Sequence, residues 1–173
     1  MQISKLQLLA IMPNARNRVD RFLPYLNRLL DEFHINTPRR VQHYLAQIAH
    51  ESGELRYTRE IASGWAYEGR EDLGNTRKGD GVRFKGRGLI QITGRKNYEA
   101  YKDYCGFDVV GKPELLEQPL GAVRSSMWVF QKFGCNDLAD QDDIMAITRR
   151  INGGLNGIID RKMYLKRAKT VIR

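Results

Sequence analysis

What this chain has little of sets its first limits. Cysteine occurs only at Cys105 and Cys135. Two are too few for a disulfide framework and lack metal-ligand spacing, so both read as reduced packing residues. His34, His43 and His50 are the only histidines, and they do not form a metal-ligand spacing on one face, so no metal is expected. No apolar run approaches the roughly 20 residues that span a bilayer. The opening stretch MQISKLQLLAIMPNARNR has a short apolar patch but no small-residue cleavage site, so neither stable membrane insertion nor secretion by a signal peptide is expected. The expectation that follows is a protein made and held in a cytoplasm. Repeats, linkers and low-complexity segments are also missing, as is any run of five or more like charges.

What is present fits one globular domain: 173 residues, 42% apolar and 28% charged. The formal charge of +9, from 29 basic against 20 acidic residues, favours an anionic partner. Nucleic acid, a membrane surface and a polyanionic wall polymer all satisfy it, and charge does not choose among them.

Most of the chain reads as helix. Residues 4 to 12 form a short one, with Ser4 capping, Pro13 stopping it, and Leu6, Leu9 and Met12 inward. Residues 20 to 34 carry Phe22, Leu26, Leu29, Leu30 and Phe33 at helical intervals, with Asp20 as cap and Pro24 tolerated in the first turn. In residues 38 to 52, Thr37 caps, Pro38 suits the first position and Gly53 suits the left-handed residue beyond the end. Val41, Tyr44, Leu45 and Ile48 make its buried stripe, and His50 points nearly the opposite way. Further helices are expected from Thr93, as cap, to about Cys105, from Pro119 to Phe133, from about Asp140 to Ile151, and from about Ile158 to Ile172 with a strongly basic outer face. Leu89 to Ile92 reads as a short strand. Between them, residues 61 to 88 lose periodicity and gather Gly, charge and the aromatics Trp65, Tyr67 and Phe84, the composition of a binding loop or lid. Sugar rings stack on such side chains. The fold expected is mainly α, with a long irregular loop lobe and at most a small strand element.

Two carboxyls stand out. Glu51 closes the third helix at the margin of its buried stripe and at the negative end of the helix dipole, surroundings that suit a proton donor. A plain surface glutamate in a last turn fits the same pattern. Glu60 follows nine residues later. Along one helix the two would point to opposite faces, so the chain is expected to turn at Gly53. Glu54 is a rival acid in that turn, read as an exposed residue without special function. Lys85-Gly86-Arg87-Gly88 resembles a phosphate loop but lacks a Walker lysine followed by Ser or Thr, so no nucleotide cofactor is expected.

Three segments in order, AQIAHESG, FKGRGLIQITGRKNY and RRINGG before a basic carboxy-terminal helix, resemble glycoside hydrolase family 19, the chitinase-like and lysozyme-like fold, and most closely its bacteriophage endolysin branch. The resemblance runs from Leu6 to about Leu165. It implies that Glu51 is the general acid, Glu60 the general base, and Thr93 the hydroxyl holding the attacking water. By the same resemblance Gln91, Asn97 and Asn152 contact substrate and Arg161 neighbours the base and keeps it ionised; Tyr67, as an aromatic of the loop lobe, is also expected to bind substrate. Without the resemblance, Thr93 also reads as a helix cap and Asn152 as a turn residue. An inverting glycosidase keeps its two carboxyls about 6.5 to 9.5 Å apart to admit water. Unlike secreted plant-type chitinases, the chain lacks paired cysteines, a chitin-binding module and long cleft loops. Peptidoglycan, with its carboxylates, is therefore the expected substrate, cut between N-acetylmuramic acid and N-acetylglucosamine by a monomer that lyses its host from within after release by a separate holin. A chitinase acting on N-acetylglucosamine polymers, or a non-catalytic wall- or nucleic-acid-binding protein, remains an alternative; no nucleic acid partner is expected for the hydrolase.

Overall fold

A computed structural model describes residues 1–173. Nine α-helices follow one another: α1 Lys5–Ile11, α2 Val19–Leu29, α3 Pro38–Glu51, α4 Asp80–Arg83, α5 Arg95–Cys105, α6 Pro119–Lys132, α7 Cys135–Asp140, α8 Ile144–Asn152 and α9 Ile158–Val171. None is long and apolar enough to cross a membrane.

Side-chain caps mark the starts of α1, α3 and α8. Ser4 and Gln7 form a reciprocal capping box, Ser4 Oγ accepting from the Gln7 N–H at 3.1 Å and Gln7 Oε1 from the Ser4 N–H at 2.8 Å. The buried face of α1 is Leu8, Ile11 and then Met12; Leu6, expected inward, is 80% exposed. Leu6 and Leu8 are about 200° apart on a helix, so both cannot face the core. In α2 a 3₁₀ turn at Arg16–Arg18 leads in, Asp20 lies inside the first turn instead of capping, and Pro24 is the sixth residue. Thr37 and Pro38 start α3 as expected, Thr37 Oγ1 accepting from the Arg40 N–H at 3.3 Å.

Helix α3 is the axis of the molecule. Val41, Tyr44, Leu45 and Ile48 are fully buried, its broadest contact is with α9, and it also meets α6 and α7. Tyr44 packs edge-on to Phe130 at 5.5 Å and shares a 2.7 Å hydrogen bond with Ser126 Oγ. Truncating such a residue to alanine costs about 3–5 kcal/mol. In α6, Val123, Met127 and Phe130 are buried as the periodicity requires. The helix expected over 140 to 151 starts later, at Ile144, where Asp143 caps it by accepting from the Ala146 N–H at 2.9 Å, and a separate short helix, α7, precedes it over Cys135–Asp140.

The aperiodic stretch 61 to 88 is a built lobe. It contains 3₁₀ turns at Trp65–Tyr67 and Glu71–Leu73 as well as α4. Glu68 accepts from the N–H groups of Gly79 and Gly81 at 2.6 and 2.8 Å. Buried Asn75 ties Tyr67 O to the Arg95 N–H, and buried Asp80 takes two hydrogen bonds from Arg95 at 2.5 and 2.9 Å. Polar side chains thus do here what an apolar stripe does in the helices. The expected strand over Leu89 to Ile92 is instead a tight turn: Arg87 and Ile92 exchange backbone hydrogen bonds at 2.8 and 3.2 Å, leaving isolated bridges Arg59 to Arg87 and Arg87 to Ile92. Gly94, at φ +89°, occupies the N-cap of α5, so Thr93 does not cap it.

Candidate active site

The site begins where α3 ends. Ser52 closes the helix, its hydroxyl donating to Ile48 O and accepting from the Leu55 N–H at 2.8 Å. Gly53, Glu54 and Leu55 then all have left-handed backbone, φ +57°, +57° and +65°. That is costly for the two non-glycine residues, and contacts elsewhere must hold it. Glu54 supplies them: its carboxylate accepts from the Asn14 N–H at 2.5 Å, Asn14 Nδ2 at 3.1 Å and the Tyr164 hydroxyl at 2.9 Å. Expected to be exposed, Glu54 is only 5% so. Both its oxygens accept hydrogen bonds that hold the turn, which gives Glu54 a structural role.

Glu51 is held from behind. Arg161 of α9 donates Nη2–H to Glu51 Oε1 at 2.5 Å and Nη1–H to the Gln47 carboxamide oxygen. Gln47 lies one turn before Glu51 on α3, so one planar guanidinium spans two successive turns of one helix face. Arg161 is 1% exposed, whereas the Glu51 side chain is 23% exposed. This corrects two expectations. Arg161 neighbours Glu51 and not Glu60, and it lies behind the site, too deep to touch a substrate and away from the basic outer face of α9. The reason is the tight packing of α3 on α9, which turns position 161 inward. With Oε1 occupied by Arg161, Oε2 of Glu51 has no protein hydrogen-bond partner.

Glu60 belongs to the other part of the molecule. Its backbone N–H donates to Gly86 O at 2.8 Å, and the Gly86 N–H donates back to Oε2 at 3.0 Å. The Tyr67 hydroxyl donates to Oε1 at 3.0 Å. Both carboxylate oxygens are thus oriented by neutral donors while lone pairs remain free to accept from water. Partial burial, then the hydrogen bond to Glu60 and its charge, push the Tyr67 phenol above its ordinary value, so it stays a donor. Tyr67 therefore orients Glu60, a role distinct from the sugar contact expected of it.

Gln91, Thr93 and Asn97 come together along one hollow, with Leu73, Trp128 and Ile151 among its other walls. Asn97 Nδ2 donates to Thr93 O at 2.8 Å. Gly86, bonded to Glu60, also abuts Gln91 of this hollow: a side chain there would collide with the Gln91 carboxamide, so the close approach needs glycine. A second hollow is lined by Glu60 itself with Arg56, Tyr57, Thr58, Arg59, Ile61 and Glu117. Glu51 lines neither, but the Tyr57 ring, in the second hollow, packs against Gly53 two residues beyond it. Asn152 ends α8, exposed and without a hydrogen-bond partner. Trp65 is 64% exposed on the lobe. His50 pairs with Asp160 at 2.7 Å and packs on Gly157, fixing the start of α9 and hence Arg161. No group of three or more His, Cys, Asp or Glu side chains is placed to hold a metal ion.

Sequence reasoning missed Gln47 and Gly86. Gln47 is a polar residue on a buried helix stripe, a signal readable from the pattern; Gly86 carries no such mark.

No protein-family model matches the chain. It is 40% identical over 107 residues to a glycosyl hydrolase family 19 domain-containing protein of Haemophilus influenzae, covering 61% of this chain and 51% of that one. It is 35% identical over 117 residues to an endochitinase of Arabidopsis thaliana, covering 67% and 40% respectively. The chain thus spans about half the length, or less, of these curated relatives. Among solved structures, chitinase C from Streptomyces griseus superposes with a TM-score of 0.80 at 21% identity, covering 98% of this chain and 76% of that one. A bacterial family 19 chitinase superposes at 0.81 and 20% identity, covering 98% and 94%. The fold is therefore the helical one of those chitinases. In sequence the chain is therefore similar to a glycosyl hydrolase family 19 protein and to plant endochitinases, and its helical fold is the one seen in a bacterial family 19 chitinase.

Proposed function

We propose that the chain is a glycan-cleaving hydrolase acting on peptidoglycan. The observation that carries the reading is the pair of carboxyls set on different parts of a family 19 fold: Glu51 on the α3–α9 core, oriented by Arg161, and Glu60 on the loop lobe, oriented by Gly86 and Tyr67. Glu51 gives the proton on Oε2 to the leaving glycosidic oxygen. Glu60 takes a proton from water, which attacks the anomeric carbon from the opposite face with inversion. Thr93 holds that water, and Gln91, Asn97 and Asn152 bind the glycan.

The net charge of +9 supports a substrate with carboxylates over neutral chitin. The bond cut is then the β-1,4 link between N-acetylmuramic acid and N-acetylglucosamine, as in an endolysin released from the host cytoplasm through a separate holin. Mass spectrometry of reduced digestion products of purified peptidoglycan tests this: N-acetylmuramic acid at the new reducing end is expected. Products from chitin oligomers alone would replace this reading with a chitinase. Glu51→Gln is expected to lower the rate by about 10²–10⁴, and a variant with full activity would remove the proposed acid.

A further inference from the structure

The hollow beside Glu60 has a feature that the reaction does not use. Of its two arginines, Arg59 is engaged by Glu117 at 3.6 Å, and Glu117 is in turn held by Arg87 Nε at 2.7 Å. Arg56 has no carboxylate partner. Its guanidinium carbon lies 5.1 Å from the centre of the Tyr57 ring and its side chain is exposed. Its backbone is nevertheless fixed, because the N–H groups of both Arg56 and Tyr57 donate to Ser52 O, at 2.9 and 2.8 Å. Tyr57 is wedged against Gly53. A cation is thus mounted on a rigid turn between the two acids in sequence, with an aromatic face to hold its plane and its donors unspent.

We propose that Arg56 and Tyr57 form a subsite for a carboxylate carried by the glycan, Arg56 receiving it through a two-pronged hydrogen bond. This deepens and rests on the peptidoglycan reading: a lactyl or stem-peptide carboxylate would seat here, and a neutral N-acetylglucosamine polymer has none to offer. Arg56 is then the residue that separates the two substrate classes. Glu60 and Glu117 share the hollow, so the ligand must bring its anion to the Arg56 end.

The test is calorimetric, in the Glu51→Gln background so that ligand survives. Two ligands of equal length are compared, a strand alternating N-acetylglucosamine with N-acetylmuramic acid and an N-acetylglucosamine oligomer. Arg56→Gln should weaken the carboxylated strand about tenfold and the neutral one less than twofold. The carboxylated strand should also bind with the steeper salt dependence, which Arg56→Gln removes. Equal weakening of both ligands, or none of either, overturns the subsite. Hydrolysis of the same two strands by the unaltered protein judges the peptidoglycan reading separately, because cleavage of the neutral strand alone would end that reading while the binding comparison still decides Arg56.

Discussion

Arg161, 1% exposed, presses its guanidinium against the Glu51 carboxyl at 2.5 Å while its other prong serves Gln47. A lysine keeps the charge but cannot span both acceptors in one plane. Arg161→Lys should therefore lower kcat about tenfold or more with little change in KM. Steady-state kinetics across pH on a soluble glycan will show it. A rise in KM at constant kcat would mean that Arg161 binds substrate after all.

Tyr67 gives Glu60 one of its two donors. Tyr67→Phe removes one hydrogen bond to a charged group, about 1.5–3 kcal/mol. Since the Tyr67 side chain is only partly buried, the effect should fall at the low end, roughly tenfold in kcat. Because its phenol is held above the ordinary tyrosine value, an alkaline limb below pH 10 in the parent protein would have to come from another group. Loss of that limb in Tyr67→Phe would contradict this assignment.

Glu54→Gln should act on stability. The amide can accept from Asn14 or Tyr164 but cannot satisfy all three donors now bonded to Glu54. Leaving one part-buried donor unpaired costs about 1 kcal/mol, which corresponds to a Tm roughly 2–4 °C lower for a chain of this size. Calorimetric melting measures it directly. An unchanged Tm would show that the left-handed turn stands without its anchor.

His43 is fully buried, and burial lowers its proton affinity despite a 2.8 Å contact with Asp142; Lys169, paired with Asp142, and nearby Arg39 push the same way as burial. The unfolded chain binds this proton more readily than the folded one. The stability contributed by a neutral His43 is therefore complete above about pH 6.5 and is lost as pH falls through the lower folded value. Urea midpoints measured from pH 8 down to 5 should fall, and His43→Gln should flatten that decline. A midpoint that rises on acidification would reverse the sign.

Where apolar spacing and caps coincide, the sequence is a sufficient guide: α3 begins at Pro38 and ends within one residue of the boundary expected, with all four predicted stripe residues buried. Leu6 shows the limit of the method, since a short helix offers two rival apolar faces and only tertiary packing chooses Leu8 over it. The lobe escapes periodicity altogether because Glu68 and Asn75 bond backbone groups distant in sequence and Asp80 pairs with the Arg95 side chain. Arg161 was legible as part of a family pattern, but which acid it touches depends on how α9 rolls against α3. That rotation leaves no trace in local composition.

The left-handed run Gly53, Glu54 and Leu55 turns the chain from one acid toward the other, and Asn14 of the segment between α1 and α2 anchors it. The course of the chain from Glu51 to Glu60 is thereby set from a residue that lines neither hollow. Changing the spacing of the two glutamates would start with the asparagine at 14, leaving both carboxyls in place.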